Sequence, residues 1–239
     1  MKNVFLFLIT VIFSTTSANA HYLWIETNEI GALGQSHEIR VYFGEYTYGV
    51  IEEVKGEAFP SVSKFKLWVV YPDGKKEVLE GTPQKDHYTT SFIPKQTGTY
   101  TVVLNNDEID VIDYTQYDFG IFKTHYHSTA KVQIGKTDAD THAANPEGIV
   151  IKKLASDTNT VKLQVLYKDK PLVNHELAIY VADLWSKKLD TDENGKVVFA
   201  LPWKTKYIVE TTMKEEVPGT YKKESYQFIW HCATYCIKP

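Results

Sequence analysis

Cysteine is nearly absent from this chain: 239 residues contain two, Cys232 and Cys236. Four positions apart in an apparent strand, their Cα atoms would stand roughly 13 Å apart. A disulfide spans about 4.4–6.8 Å, so these two cannot pair while that segment is extended. Alternation puts both thiols on one face, where they read as small buried hydrophobes, with thiolate metal ligation as the other reading. Positive charge is also short, with 26 Lys and Arg against 30 Asp and Glu and a net charge of −4. That balance, without a basic stripe, argues against nucleic acid. No lysine-rich amphipathic segment suggests a membrane surface. The signatures G-x-S-x-G and H-E-x-x-H and a glycine-rich phosphate loop are missing, so a non-enzymatic protein is expected.

Long apolar runs are confined to the start, MKNVFLFLITVIFSTTSANA. Lys2 supplies a positive n-region, Val4 to Phe13 an apolar stretch, and Ala18-Asn19-Ala20 an A-x-A cleavage site. A bilayer crossing needs about 20 apolar residues, so residues 1–20 read as a removable signal peptide. The expectation is a periplasmic or otherwise exported chain that does not span a membrane once the signal is removed. Cleavage after Ala20 would make His21 the first residue. Its α-amine and imidazole could then chelate a transition metal together, both being good nitrogen donors when neutral.

What the chain has in quantity is strand former: 13% aromatic residues, sixteen of them tyrosine, among many Val, Ile and Thr. Glu38 to Phe43, Phe65 to Tyr71 and Lys76 to Leu79 read as strands, the last two joined by the turn Pro72-Asp73-Gly74. His87 to Phe92, Gly98 to Leu104 and Phe122 to Ile134 follow. Residues 105–122 read as a loop crossing one face or as a helical turn. Further strands are Val161 to Tyr167, Glu176 to Val181, Lys196 to Leu201, Lys206 to Thr212 and Tyr226 to Ile237. The segment Asp190 to Gly195 lacks a calcium loop's final glutamate, because position 201 is Leu, and reads as a plain turn.

This spacing predicts an all-β protein of two β-sandwich domains. They are 21–135, carrying the candidate metal site, and 148–239, joined by the polar linker 136–147. The phrase Pro94-Lys95-Gln96-Thr97-Gly98-Thr99-Tyr100 resembles the last hairpin of immunoglobulin-like sandwiches. The C-terminal order of strand, K-P-L, strand, D-x-N-G, strand resembles small transthyretin-like or carboxypeptidase-regulatory-like sandwiches. His142, in the linker, reads as solvated.

Thr124-His125-Tyr126-His127 is the strongest internal metal signal. On a strand, His125 and His127 share a face with Cβ atoms about 6.5–7 Å apart. Two rings so placed can grip one ion at about 2.0–2.1 Å. His231 joins the candidates if its strand meets theirs. Glu45 is a candidate oxygen ligand, and Glu26 could orient a ligating histidine from behind. His37, His87 and His175 read as surface or structural.

The start His21-Tyr22-Leu23-Trp24-Ile25-Glu26 resembles the opening of a family of exported bacterial proteins. These carry a domain of unknown function and are associated with periplasmic nickel or cobalt uptake. Val41-Tyr42-Phe43-Gly44, Thr191 to Leu201 and His231-Cys232-Ala233-Thr234 agree with it. The resemblance implies nickel or cobalt, with copper or zinc remaining possible, and the residues expected to hold that ion are His21, His125, His127, His231 and Glu45. It also implies a membrane metal transporter as partner. This chain departs from the family at Glu45, where members often carry histidine, which exchanges a nitrogen donor for an oxygen. The expected function is thus a periplasmic transition-metal-binding protein accessory to uptake. The alternative is an envelope adhesion or carbohydrate-contacting module whose exposed aromatics do the work.

Overall fold

A computed structural model describes residues 21–136, 144–154 and 160–238. The segment 1–20, His142 and most of the expected linker lie outside these residues. The fold is all-β, with sheets stacked as sandwiches. Its N-terminal strands are β1 (Tyr22–Thr27), β2 (His37–Glu45), β3 (Lys66–Val70), β4 (Lys76–Val78), β5 (Tyr88–Phe92), β6 (Gly98–Asn106) and β7 (Gly120–Ile134). The C-terminal half adds β8 (Ile149–Leu154), β9 (Thr160–Tyr167), β10 (Glu176–Val181), β11 (Trp185–Asp190), β12 (Lys196–Ala200), β13 (Tyr207–Glu215) and β14 (Phe228–Ile237). The stretch between β6 and β7 forms a short strand, Ile112–Tyr114, and one 3-10 turn, Thr115–Tyr117.

Local chemistry sets several of these elements. The β3–β4 hairpin closes where Gly74 takes φ +83° and donates its N–H to Tyr71 O at 2.9 Å. Tyr100 is fully buried; its hydroxyl donates to Gln96 O and accepts from the N–H groups of Lys95 and Gln96, pinning the corner into β6. Tyr207 repeats the device at the start of β13, donating to Trp203 O at 3.0 Å and accepting from Trp203 N–H at 2.9 Å. Both phenols fill a core and tie down a loop with one side chain.

A ten-stranded sheet runs β11-β10-β13-β14-β7-β6-β3-β4 along its main path. Its middle is the parallel pair β7–β14, in the register Phe122↔Phe228, His125↔His231 and Thr129↔Tyr235. The N- and C-terminal halves of the chain are therefore joined by main-chain hydrogen bonds.

Each half has its own core, and the two cores lie on opposite faces of the shared sheet. On one face β1 crosses the β7–β14 seam. Ile25 N–H donates to Ser128 Oγ and Thr234 Oγ1 donates to Leu23 O. Here Leu23, Ile25, Val41 and Phe43 pack against Val102, Leu104 and Val132. On the other face β8 crosses, with Thr129 Oγ1 donating to Ile151 O and accepting from Ile151 N–H. There Ile149, Ile151 and Leu163 pack against Ile179, Val209 and Tyr235. Burying a Leu or Ile side chain contributes about 1.5–3 kcal/mol, so both cores are substantial. Among the described residues no helix is long and apolar enough to cross a membrane.

Candidate metal centre

Strand alternation sends the odd-numbered side chains of β7 and β14 toward the β8–β9 layer. His125 and His127 share that face, and the register His125↔His231 places His231 beside them. The ring centroid of His231 is 5.3 Å from that of His125 and 5.2 Å from that of His127. His127 and His231 are almost fully buried, whereas His125 is half-buried at the mouth of the group.

The hydrogen bonds define donors and acceptors. Asn105 Oδ1 accepts from His127 Nδ1–H at 2.8 Å and from Asn145 Nδ2–H at 2.8 Å. Asn105 Nδ2 donates back to Asn145 Oδ1 at 2.9 Å, which fixes both amides. A neutral His127 then presents a bare lone pair at Nε2, and His231 Nδ1 faces it at 2.9 Å. On the far side of the His231 ring, Nε2 lies 3.2 Å from Glu215 Oε2 and 3.5 Å from the Tyr167 hydroxyl. A carboxylate oxygen only accepts, so Glu215 draws the ring proton to His231 Nε2. In a neutral ring that leaves Nδ1 bare as well, and two lone pairs meet. One cation, a proton or a metal ion, satisfies both.

Electrostatics favours the bare forms. Burial, then the neighbouring histidines, hold His127 well below the ordinary imidazole value. Burial, then Lys123 and His231, bring His125 down to about 4. Burial lowers His231 too, against the pull of Glu215. Burial works to raise Glu215, but hydrogen bonds from Lys168, Tyr167 and His231 outweigh it and hold the carboxyl at about 2. Glu215 is thus a fixed negative charge behind His231, further anchored by Lys168 Nζ at 2.7 Å.

His21 and Glu45 do not join this group. His21 lies on the β1 face, its Nε2 2.8 Å from Glu52 Oε1 and its ring 5.3 Å from Phe43. Phe43 packs on Tyr126, which alternation points away from His125 and His127. Glu45 ends β2 in the same layer and is buried there. The sheet itself separates these two expected ligands from the three histidines. Glu26 orients no histidine. It accepts from Trp24 Nε1–H at 3.0 Å and pairs with Lys206 at 2.6 Å and Lys238 at 3.0 Å. His37 bonds Thr27 Oγ1, and His87 pairs with Asp86. Cys232 and Cys236 are free thiols.

Among the described residues no three His, Cys, Asp or Glu side chains converge as a metal's ligands. The geometry supplies a pair, His127 Nε2 and His231 Nδ1. His125 is hindered as a third ligand because Lys123 Nζ lies 3.2 Å from its Nε2 and brings a positive charge. The backing groups Asn105, Asn145, Tyr167 and Glu215 carry no local motif. Only the burial of polar residues at strand ends could have drawn attention to them. Asn145, within the expected linker, is buried at 1% exposure because its amide completes the Asn105 pair.

Among solved structures, the chain is similar to Salmonella α2-macroglobulin reacted with methylamine, at 13% identity and a TM-score of 0.30. That match covers 92% of this chain and 15% of the other, so the chain spans a small part of that protein. It is similar to a two-domain fibronectin type III segment of chicken tenascin at 13% identity and a TM-score of 0.25, over 90% and 97% of the two chains. The CARDB domain of a Pyrococcus furiosus protein, in complex with di-metal ions, shows 16% identity and a TM-score of 0.26 over 48% and 88%. No curated protein matches. Residues 18–215 match a domain of unknown function, and the chain belongs to that family, DUF4198.

Proposed function

We propose that this chain is an exported, non-enzymatic transition-metal-binding protein whose ion is held by His127 and His231. One observation carries the reading: two imidazole nitrogens face each other at 2.9 Å, each ring backed by an acceptor on its far side. Ligating histidines characteristically have such outer partners, which set the tautomer and raise basicity. Two nitrogens 2.9 Å apart, each about 2.0–2.1 Å from an ion, subtend about 90° there. That is a cis angle of octahedral or square geometry, which suits nickel, cobalt or copper better than tetrahedral zinc. Burial supports the reading too, because it keeps both rings neutral and able to ligate.

Export, and delivery of the ion to an uptake transporter, rest on the signal-like start and on the likeness of His21 to Glu26 to periplasmic proteins. The test is calorimetry and metal analysis of the folded chain with Ni²⁺, Co²⁺, Cu²⁺ and Zn²⁺. His127→Ala and His231→Ala should each weaken binding at least about tenfold, or 1.4 kcal/mol. Unchanged affinity in both folded variants defeats the proposal. A second reading, an adhesion or carbohydrate-contacting module, draws on the exposed rings of Tyr114, Tyr117 and Phe119 packed beside Phe122 and Trp230. Retention on a carbohydrate array by a chain that takes up no metal is the outcome it requires.

A further inference from the structure

A buried lysine stands beside the three histidines. Lys123, His125 and His127 alternate along β7, so all three side chains point to the β8–β9 layer. A lysine stem ordinarily lets its ammonium reach water, but Lys123 is only 6% exposed. Its Nζ donates to Asp107 O, stands 4.4 Å above the Tyr221 ring and lies 3.2 Å from His125 Nε2. Asp107 gives its carboxylate to Lys66 at 3.2 Å, and Lys123 makes no ion pair among the described residues.

A buried charge is normally paired with an opposite one. Here a carbonyl, an aromatic face and an imidazole nitrogen take that place. An ammonium only donates, so His125 Nε2 accepts and its lone pair is occupied. Yet the ring itself stands where a ligand would. Imidazoles bound to one ion at about 2.0–2.1 Å have centroids roughly 4.5–5.5 Å apart. The His231 centroid is 5.2 Å from that of His127 and 5.3 Å from that of His125. His125 thus has a ligand's spacing, with its lone pair turned to Lys123 instead.

We propose that Lys123 sets the metal affinity of the histidine site by keeping His125 out of it. While the ammonium holds that ring, the ion has two imidazoles; movement of Lys123 off the ring recruits a third. A positive charge this close also opposes an incoming divalent ion. Both effects keep the ion exchangeable, which suits a protein that passes it on. Tyr221, which covers the ammonium, lies on the hairpin pairing Gly219–Tyr221 with Glu224–Tyr226, outside both cores. The proposal rests on the reading of His127 and His231 as ligands and adds what governs release of their ion.

The probe is Ni²⁺, measured by calorimetry on the full chain, with Cu²⁺ electron paramagnetic resonance to count ligating nitrogens. Lys123→Met keeps the stem and removes the charge, and should bind Ni²⁺ at least about tenfold tighter than wild type. Its Cu²⁺ spectrum should show one more imidazole nitrogen than that of wild type. His125→Ala should stay within about threefold of wild type while Lys123 is present, and should abolish the gain of Lys123→Met. The single variant His125→Ala decides the matter should Lys123→Met fold poorly: a loss of about tenfold there means that His125 already ligates, and overturns the proposal. It is overturned equally by a folded Lys123→Met that binds no tighter, or by a gain that survives His125→Ala. A wild type that binds no Ni²⁺ defeats the two-histidine reading and this proposal together. A wild type whose binding needs His127 and His231 but gains nothing in Lys123→Met defeats this proposal alone.

Discussion

His127 Nε2 and His231 Nδ1 meet at 2.9 Å although 104 residues separate them in the chain. The parallel pairing of β7 and β14 makes the meeting, and Asn105 and Glu215 fix which atoms face each other. Several consequences can be measured.

The outer partners should matter nearly as much as the rings. Asn105→Ala removes the acceptor that keeps the His127 proton on Nδ1, and Glu215→Gln removes the charge behind His231. Each should cost about 10–100-fold in Ni²⁺ or Co²⁺ affinity. Calorimetry on folded variants decides; affinity within twofold of wild type would remove the outer partners from the account.

Binding should weaken steeply as pH falls, because a proton and a metal ion compete for the same two lone pairs. Stability without metal has its own pH dependence. Folding lowers the imidazole values, to about 4 for His125 and well below the ordinary value for His127, against about 6.5 in the unfolded chain. Below about 6.5 the unfolded chain binds more protons, so this stability is present above that value and is lost as pH falls toward 4. His127→Asn should flatten part of that slope in chelator-treated protein. A melting curve equally steep in the variant contradicts the assignment.

Glu210 should give a slope of opposite sign. Its folded value, raised to about 8, means that the folded chain binds the extra proton between about 4.5 and 8. Its contribution therefore declines as pH rises through that window. In metal-free solution Glu210→Gln should remove the decline, read as a melting temperature that no longer drops between pH 5 and 8.

A residue added ahead of His21 tests the separation of the two faces. His21 sits with Glu52 and Phe43, across the sheet from the histidine pair. A retained methionine should leave Ni²⁺ affinity within about twofold, since RT ln 2 is about 0.4 kcal/mol. A tenfold loss would return His21 to the ligand set.

Gly148 backs His127 so closely that an added Cβ would stand 2.4 Å from Nδ1 and 2.6 Å from Asn145 Nδ2. Gly148→Ala should cost about 1–3 kcal/mol of stability through overpacking and should also disturb metal binding. Denaturant unfolding measures the first and calorimetry the second. A variant as stable as wild type would mean that this contact yields easily.

Much of the fold was legible in the chain itself. Alternating runs, the Pro72-Asp73-Gly74 turn and Tyr100 near the start of β6 mark strands and corners through short-range sterics and hydrogen bonding, which depend on neighbours in sequence. The same period of two put His125 and His127 on one face. What lay beyond reach was which strand returns beside β7, and which layer covers each face. Those depend on where a distant segment finds a sheet with unpaired hydrogen-bonding groups and an apolar surface to cover. Tertiary structure alone brought His231 to His127, placed Glu215 behind it and buried Asn145 from a polar stretch. By laying β1 across the opposite face, it also set His21 and Glu45 apart from the histidines. Residue type and spacing state what a side chain can ligate. Strand pairing between distant parts of the chain decides which ligands share a site.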